Sequence, residues 1–172
     1  RLVLSNAKNF RMAPDVPLGI LEVTGDHLAL LAHQRAVRGW TGGIVTNANC
    51  AVTVMAAALA PLHAAFEVTT VFATTMQAVS GAGYPGVASL DILGNVIPFI
   101  NDEEPKIETE LQKLLGRLEG TRVVEASIAV SSHANRVPVE HGHTVCLSVG
   151  FARRPTPAEA REVLHAWRGH EV

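Results

Sequence analysis

The turn at residues 47–50 constrains this chain more than any other part of its sequence. It joins a strand-like segment to an uninterrupted helix-forming run at 51–66, so Cys50 falls in the first turn of a helix. The N–H groups of a first turn are unpaired and the helix dipole is positive there, which favours a thiolate, the reactive form of cysteine. We therefore expect Cys50 to be a nucleophile, with an inert buried side chain as the alternative. Cys146 lies mid-strand and is expected to be a packing residue.

Composition indicates a globular protein with a large interior. Of the 172 residues, 48% are hydrophobic and 17% are charged, and the formal net charge is −2. A slightly acidic chain is poorly suited to bind nucleic acid, and no apolar run reaches the length of a membrane span. The mean hydropathy of +0.22 is high for a free monomer and indicates a buried interface. Two cysteines do not form a disulfide framework, which favours a reducing, cytoplasmic setting.

Hydrophobic periodicity and turn residues predict an α+β domain. Helices are expected from a cap at Asp26 through 33, at 51–66, from a cap at Asn101 with Glu104 as capping-box partner through 118, and from a cap at Thr156 through 168. Strands are expected at 2–4, 20–23, 67–79, 122–132 and 144–151. The glycine- and proline-rich stretch 80–100 is expected to be an irregular, functional loop. Because regular βαβ alternation is missing, the pattern predicts a mixed or antiparallel sheet covered by helices on one face.

Nucleophilic catalysis by a cysteine needs an acid or base within reach, and the chain offers eight histidines. His143 is the best placed, because a polar loop enters a strand there. His141 and His143 would share a strand face and bind a metal, although no further ligand spacing supports a metal site. Arg136 is suited to hold a carboxylate, Arg11 a phosphate, and the backbone at 81–83 an anion or a cofactor. Each arginine alone is more often an ordinary surface residue.

Five motifs, taken together and in order, are far more specific than any one of them. They are Ser5-Asn6-Ala7 with Arg11, Asn47-Ala48-Asn49-Cys50, residues 75–86, Asp102-Glu103-Glu104 with residues 106–110, and residues 135–138 leading to Gly142-His143-Thr144. With these motifs the chain resembles the fungal and archaeal branch of the aspartate-semialdehyde dehydrogenases. The resemblance implies a glyceraldehyde-3-phosphate-dehydrogenase-like catalytic and dimerisation domain. It also implies NADPH-dependent reduction of L-aspartyl-4-phosphate to L-aspartate 4-semialdehyde through a cysteine thioester, on the route to lysine, threonine and methionine.

The same resemblance implies a role for each matching residue. The catalytic group comprises Cys50 as nucleophile, His143 as acid and base, Gln77 as the residue that orients the acyl intermediate, and Asn49 beside the nucleophile. The substrate-binding group comprises Arg136 and Glu103 for the carboxylate and amino ends, with Arg11 and Lys106 for phosphate. Glu104 is adjacent to Glu103, so the choice of glutamate stays open. The group beside the nicotinamide of NADPH comprises Ser80, Gly81, Gly83 and Asn6. No metal is implied.

The resemblance also divides the chain. Residues 1–48 match the tail of a Rossmann-type, NADP-binding domain, and residues 49–172 match the catalytic and dimerisation domain. Neither the family's glycine-rich turn nor its C-terminal helical segment is in the sequence, and the chain begins inside a strand without a methionine. We therefore expect a piece of a longer enzyme, with an incomplete NADPH site and little activity by itself.

The expected partners are a small-molecule substrate, phosphate, and further copies of the chain in a homodimer or homotetramer. Two kinds of alternative stay open. One is a related acyl reductase with the same cysteine chemistry, such as malonyl-CoA reductase or N-acetyl-glutamyl-phosphate reductase. The other is an inactive fragment whose main property is self-association.

Overall fold

Two three-stranded sheets and one two-stranded sheet organise the chain, and the first is a small parallel sheet near the N-terminus. The computed structural model describes residues 1–170. The first sheet has the order β1-β3-β2, formed by β1 (Leu2–Ser5), β2 (Leu18–Gly19) and β3 (Gly43–Asn47). Between β2 and β3 lie α1 (Leu21–Thr24), a 3₁₀ turn (Gly25–Ala29) and α2 (Leu30–Arg38). The strand predicted at the start of the chain is confirmed.

Two predictions in this region are wrong. The segment predicted as a strand at 20–23 is mostly helical, because the Thr24 hydroxyl accepts the Ile20 N–H and donates to the Leu18 carbonyl, which turns the chain straight after β2. Asp26 caps no helix, since the 3₁₀ turn passes directly into α2. That helix runs on to Arg38 and ends at Gly39, whose φ of 66° is the left-handed conformation that glycine adopts without strain.

The long helix α3 (Cys50–Phe66) leads from the first sheet to the second, as predicted. Asn49 caps it, because its side-chain oxygen accepts the N–H groups of Ala51 and Val52. Apolar side chains cover the buried part of the helix, and Met55 and Leu59 are almost fully enclosed. This cap fixes Cys50 as the first residue of a largely buried helix, although the Cys50 side chain itself is exposed.

The second sheet is mixed and has the order β7-β4-β8. Its strands are β4 (Val68–Gln77), β7 (Ala129–Arg136), which is parallel to β4, and β8 (Thr144–Phe151), which is antiparallel to β4. Helix α3 and α5 (Glu103–Leu114) cover one face, and the opposite face stays open. The predicted mixed sheet with helices on one face is confirmed. Cys146 is exposed on the open face, so its prediction as a packing residue is wrong for the single chain.

Tertiary contacts change the bounds of one predicted strand and one predicted helix in the second half of the chain. The strand predicted at 122–132 is divided, because Gln112 of α5 accepts the Ala126 N–H and donates to the Ile128 carbonyl. The first part becomes β6 (Arg122–Val124), which pairs with β5 (Arg117–Glu119). Helix α5 is shorter than predicted and has no capping box, since Glu104 accepts the N–H of Ala134 in the sheet.

The remaining elements agree with the sequence. Residues 80–100 are largely irregular and contain only a short helix, α4 (Ser89–Ile92), after a 3₁₀ turn at Val79–Ala82. The last helix is α6 (Pro157–Ala166), and the predicted capping box between Thr156 and Glu159 is present. Among residues 1–170, none of the helices combines the length and apolar character that a membrane crossing requires.

The hydrophobic core is continuous along the chain. Leu18 of the first sheet belongs to the same buried cluster as Met55 of α3, Ile107 of α5 and Val71 of the second sheet. The division into two domains at residue 48 therefore stays a prediction, and so does the Rossmann-type origin of the first sheet.

A buried lysine joins α5 to the N-terminal segment. The Lys113 ammonium is 3% exposed and donates to the carbonyls of Arg11, Ala13 and Val16 over 2.7–2.9 Å. Lys113→Met would leave all three carbonyls without this donor, so we expect the free energy of unfolding to fall by about 2–4 kcal/mol. Urea unfolding measures the change. Lys8→Met, at a largely exposed lysine, is the control, and an equal effect of both variants would contradict the prediction.

Candidate active site

Two side chains that are distant in sequence meet at the start of α3. The Nε2 atom of His143 lies 3.2 Å from the Sγ atom of Cys50. Cys50 is held by the capped start of α3, and His143 directly precedes β8. The structure therefore brings together the nucleophile and the acid or base that the sequence predicted, across 93 residues. Such a pair has the geometry that covalent catalysis by cysteine requires.

The hydrogen bonds of His143 define which nitrogen carries its proton. The backbone N–H of Ala78 donates to Nδ1 over 3.1 Å, so Nδ1 is an acceptor and carries no proton. A neutral imidazole then bears its proton on Nε2, the atom that faces the sulfur. Burial and the nearby Arg136 lower the pKa of His143, with Glu103 acting in the opposite direction. His143 is therefore neutral at rest and directs an N–H donor at Cys50.

The electrostatics of Cys50 differ from the prediction. Burial, and next to it the negative charge of Glu103, raise the pKa of the Cys50 thiol above its ordinary value. The backbone N–H groups at the helix start and Arg136 act against this rise without reversing it. The expectation that the helix start favours the thiolate at rest is therefore wrong in its net direction. The dipole effect is present, but desolvation and one carboxylate exceed it.

Glu103 is the centre of a buried hydrogen-bond network. Its Oε1 atom accepts from Asn49 over 2.7 Å and from Gln77 over 3.1 Å, and Oε2 accepts from Lys106 over 3.3 Å. Burial alone would raise the pKa of Glu103, but these donors outweigh it and lower the pKa. Glu104 instead faces the sheet, where it binds the Ala134 N–H. Of the two adjacent glutamates, only Glu103 contacts the predicted site residues.

Arg136 and Gly81 lie beside His143. The Arg136 guanidinium donates to the Ala78 carbonyl over 2.8 Å. Ala78 therefore binds His143 through its N–H and Arg136 through its carbonyl. A Cβ atom at Gly81 would lie 2.9 Å from the His143 ring and 3.0 Å from the Arg136 guanidinium. Only a residue without a side chain permits this approach. Ser80 and Gly83 line a different cavity beside the irregular loop, and Cys50 is not part of its lining.

A cleft of about 720 Å³ opens on the other side of Cys50. Its polar lining includes the predicted residues Asn6, Arg11, Asn49 and Lys106, and also Lys8, Asn47 and Thr53. Lys8 was not among the predicted site residues, although it lies only three positions before Arg11. Three cationic side chains and one carboxylate, that of Glu22, line the cleft together with Cys50, and the excess of positive charge suits it to bind an anion. Among residues 1–170, no group of three or more metal-ligating side chains occurs, so a metal site built on His141 and His143 has no support.

We expect Glu103→Gln to lower the pKa of Cys50. The amide keeps an acceptor for Asn49 and Gln77 but removes the negative charge that opposes the thiolate. Alkylation of Cys50 by iodoacetamide at neutral pH should then become about three- to tenfold faster, which is up to about one pKa unit. The measurement is the alkylation rate against pH. Glu104→Gln is the matched control, and a Glu103→Gln profile that stays in place or moves to higher pH would refute the prediction.

Comparison with known proteins places these features in a family. A family model described as the semialdehyde dehydrogenase dimerisation domain matches residues 59–172. Aspartate-semialdehyde dehydrogenase of Archaeoglobus fulgidus is 50% identical over 160 residues, which cover 93% of this chain and 46% of that protein. The enzyme of Schizosaccharomyces pombe is 46% identical over 168 residues, which cover 95% of this chain and 47% of that protein.

Structural comparison agrees with the sequence comparison. The crystal structure of aspartate semialdehyde dehydrogenase with NADP from Candida albicans is similar at a TM-score of 0.86 and 36% identity, over 98% of this chain and 49% of that one. The chain belongs to the semialdehyde dehydrogenase family. Its archaeal and fungal relatives are aspartate-semialdehyde dehydrogenases, which confirms the resemblance and the fold that it implied. The chain spans about half the length of the curated relatives it matches.

Proposed function

We propose that the intact protein carrying this chain reduces L-aspartyl-4-phosphate to L-aspartate 4-semialdehyde with NADPH, through a thioester on Cys50. The observation that carries the proposal is the 3.2 Å approach of His143 Nε2 to Cys50 Sγ at the end of a cationic cleft. The names of the archaeal and fungal relatives support the same activity. Lysine, threonine and methionine biosynthesis is the setting that this product serves.

In the first step, the Cys50 thiolate adds to the acyl carbon of the substrate. The carbon–oxygen bond to phosphate breaks, and phosphate leaves with the bonding electron pair and with the proton that the Cys50 thiol gives up, as hydrogen phosphate. Lys8, Arg11 and Lys106 line the cleft where this negative charge develops, and they stabilise it electrostatically. The product of this step is a thioester between Cys50 and the aspartyl group.

The second step needs a hydride and a proton. The cleft fits the nicotinamide end of the cofactor, because it has about 720 Å³, is lined by the amides of Asn6 and Asn47, and ends at Cys50. NADPH, when bound, supplies the hydride to the thioester carbon. The Nε2–H of His143 hydrogen-bonds to the resulting oxygen and shares its proton with it, which stabilises the thiohemiacetal on Cys50. As the carbon–sulfur bond breaks, the proton stays with His143, and the aldehyde and the thiolate are released.

Substrate binding itself activates the thiol. The negative charge of Glu103 contributes to the raised pKa of Cys50 in the free protein. The ammonium group of an aspartyl substrate is the natural partner for this carboxylate, and pairing would neutralise its effect on the sulfur. The thiolate then forms preferentially when the correct substrate is bound. Arg136 holds the substrate's carboxylate in the same proposal, next to His143 and Gly81.

A second proposal concerns self-association. The open face of the second sheet exposes Phe72 to 46% and lies beside a shallow groove lined by β4, β7 and β8. The matching family model describes a dimerisation domain. We infer that two copies pair through this face to give a homodimer, and that a homotetramer would need a further surface. Phe72→Glu should convert the dimer to a monomer in analytical ultracentrifugation, and an unchanged dimer would exclude this face.

The assay that tests the proposed activity compares acyl donors on the intact protein. L-aspartyl-4-phosphate, N-acetyl-glutamyl-phosphate and malonyl-CoA are offered separately, and oxidation of NADPH is followed. We expect the aspartyl substrate to be preferred by at least about 100-fold in kcat/KM, because only a free α-amino group can pair with Glu103. A preference for either other donor would identify one of the related reductases. Failure with all three would favour the structural alternative.

A further inference from the structure

One buried carboxylate in α5 contacts both sides of the cleft. Glu110 is 2% exposed, and its Oε1 atom accepts from the Arg11 guanidinium over 2.9 Å. Its Oε2 atom accepts the backbone N–H of Asn49 over 2.6 Å. Arg11 and Asn49 belong to segments 38 positions apart (49 − 11). A single side chain therefore links the cationic wall of the cleft to the cap of the helix that begins with Cys50.

The position of Glu110 follows from helical periodicity. Residues 103, 106, 110 and 113 are spaced by three, four and three positions, so they share one face of α5. This face meets the site at Glu103 and the N-terminal segment at Lys113, whose ammonium binds the backbone carbonyl of Arg11. Helix α5 thus holds Arg11 twice, by its backbone through Lys113 and by its guanidinium through Glu110.

The remaining contacts of Arg11 leave it able to bind a ligand. Its Nη2 atom donates to the Asn6 carbonyl over 2.8 Å, and Nη1 donates to Glu110. Each Nη atom carries two hydrogens, so one N–H of each stays available on a residue that lines the cleft. Without Glu110, a long and flexible side chain would have to be ordered by the ligand itself, at a cost in binding free energy.

We infer that Glu110 is a positioning residue, which sets the distance between the anion-binding guanidinium of Arg11 and the sulfur of Cys50. The inference deepens the proposed function, since it assigns to Glu110 the alignment of the leaving phosphate with the nucleophile. Glu110 does this through Arg11 and Asn49 and does not contact the substrate. A displaced guanidinium would weaken phosphate binding at the cleft while leaving the cysteine and histidine in place.

The experiment measures how inorganic phosphate protects Cys50 of the intact protein against iodoacetamide. In the unaltered protein, phosphate in the cleft should slow the alkylation. Glu110→Gln keeps the shape of the side chain, but its amide N–H would face one of the two donors that Glu110 now accepts, the Arg11 guanidinium or the Asn49 N–H. The phosphate concentration that halves the alkylation rate should therefore rise about tenfold. Glu110→Asp keeps the charge but shortens the reach, and an intermediate rise is expected. Glu108→Gln on the same helix is the matched control and should change the value by less than about twofold.

A second variant shows that the effect passes through Arg11. Arg11→Gln should itself weaken phosphate protection, and adding Glu110→Gln to it should cause a further change of less than about twofold, because the two residues act as one unit. If the role of Glu110 were purely structural, Glu110→Gln would weaken phosphate protection in the Arg11→Gln protein as much as in the unaltered protein. If Glu110→Gln does not fold, Glu110→Asp decides, and phosphate protection equal to that of the unaltered protein would overturn the inference.

The outcomes separate this inference from the proposed function. If the intact protein reduces no acyl phosphate and yet Glu110→Gln weakens phosphate protection, the proposed function fails and the inference stands. If it reduces L-aspartyl-4-phosphate and Glu110→Gln keeps both the KM and the phosphate protection, the inference fails and the function stands. The absence of any phosphate protection in the unaltered protein would also overturn the inference.

Discussion

Replacing Cys50 by serine is expected to lower kcat for L-aspartyl-4-phosphate at least about 10³-fold in the intact protein. The serine hydroxyl is nearly isosteric, so the capped start of α3 and the contact with His143 are kept. A neutral hydroxyl is a far weaker nucleophile than a thiolate, and His143 already carries its proton on the atom that faces residue 50. Steady-state oxidation of NADPH measures the loss.

The second cysteine supplies the control for this variant. Cys146 is exposed on the open sheet face and does not line the cleft. Cys146→Ser should therefore keep kcat within about twofold. If the Cys50→Ser protein retained more than about a tenth of the activity, the sulfur would not form the covalent intermediate, and the proposed mechanism would be wrong.

Replacing His143 by asparagine is expected to lower kcat about 10²- to 10⁴-fold. Asparagine keeps an oxygen near the position of Nδ1, so the Ala78 N–H retains an acceptor. It has no donor at the position of Nε2 and cannot exchange a proton near neutral pH. The KM for the acyl phosphate should change much less, since Lys8, Arg11 and Lys106 stay in place.

The pH profile gives this variant a specific signature. In the unaltered protein, one limb of the kcat profile should report His143, whose pKa is lowered by burial and by Arg136. The limb should disappear in His143→Asn. His141→Gln, two residues earlier and exposed, is the control and should retain the limb and the rate. A His143→Asn protein with an unchanged profile would exclude the assigned proton transfer.

The catalytic pair was predictable because short-range rules determine its nearest surroundings. Asn49 is a good helix cap, the run after Cys50 is apolar, and both facts are visible in the sequence. His143 was singled out from the eight histidines because a polar loop enters a strand there, and the resemblance then implied its role as acid and base. Only the structure shows that Glu103, and not Glu104, contacts the predicted site residues. Both lie at the start of α5, and the direction of each side chain depends on tertiary packing.

Other features depend on tertiary contacts that a sequence does not display. The strand predicted at 122–132 is interrupted by hydrogen bonds from Gln112, a residue on a helix. Glu110 follows Lys106 by four positions, a spacing typical of surface ion pairs on a helix, yet it is buried and paired with Arg11. The periodicity of α5 contained a signal, since four charged residues share one of its faces. Charged residues along one helix face are normally exposed to solvent, so only the structure could show that this face of α5 is buried.

The raised pKa of Cys50 shows that the surroundings of a residue can outweigh a local effect, here the stabilisation of a thiolate by the start of a helix. The helix start favours the thiolate by a small amount, whereas desolvation and a nearby carboxylate disfavour it by more. Because of this balance, Cys50 of the free protein is mainly a protonated thiol of low reactivity. It also makes the reactivity of Cys50 depend on what neutralises Glu103, which is how substrate selection and activation become one event in the proposed mechanism.

The formation of the acyl-enzyme tests the central claim most directly. The intact protein is mixed with L-aspartyl-4-phosphate in the absence of NADPH, quenched in acid, digested, and examined by mass spectrometry. The account predicts a peptide that contains Cys50 and is heavier by one aspartyl group, with the mass gain reversed by hydroxylamine. An unmodified Cys50 peptide, or an aspartyl group found on Cys146 instead, would contradict it.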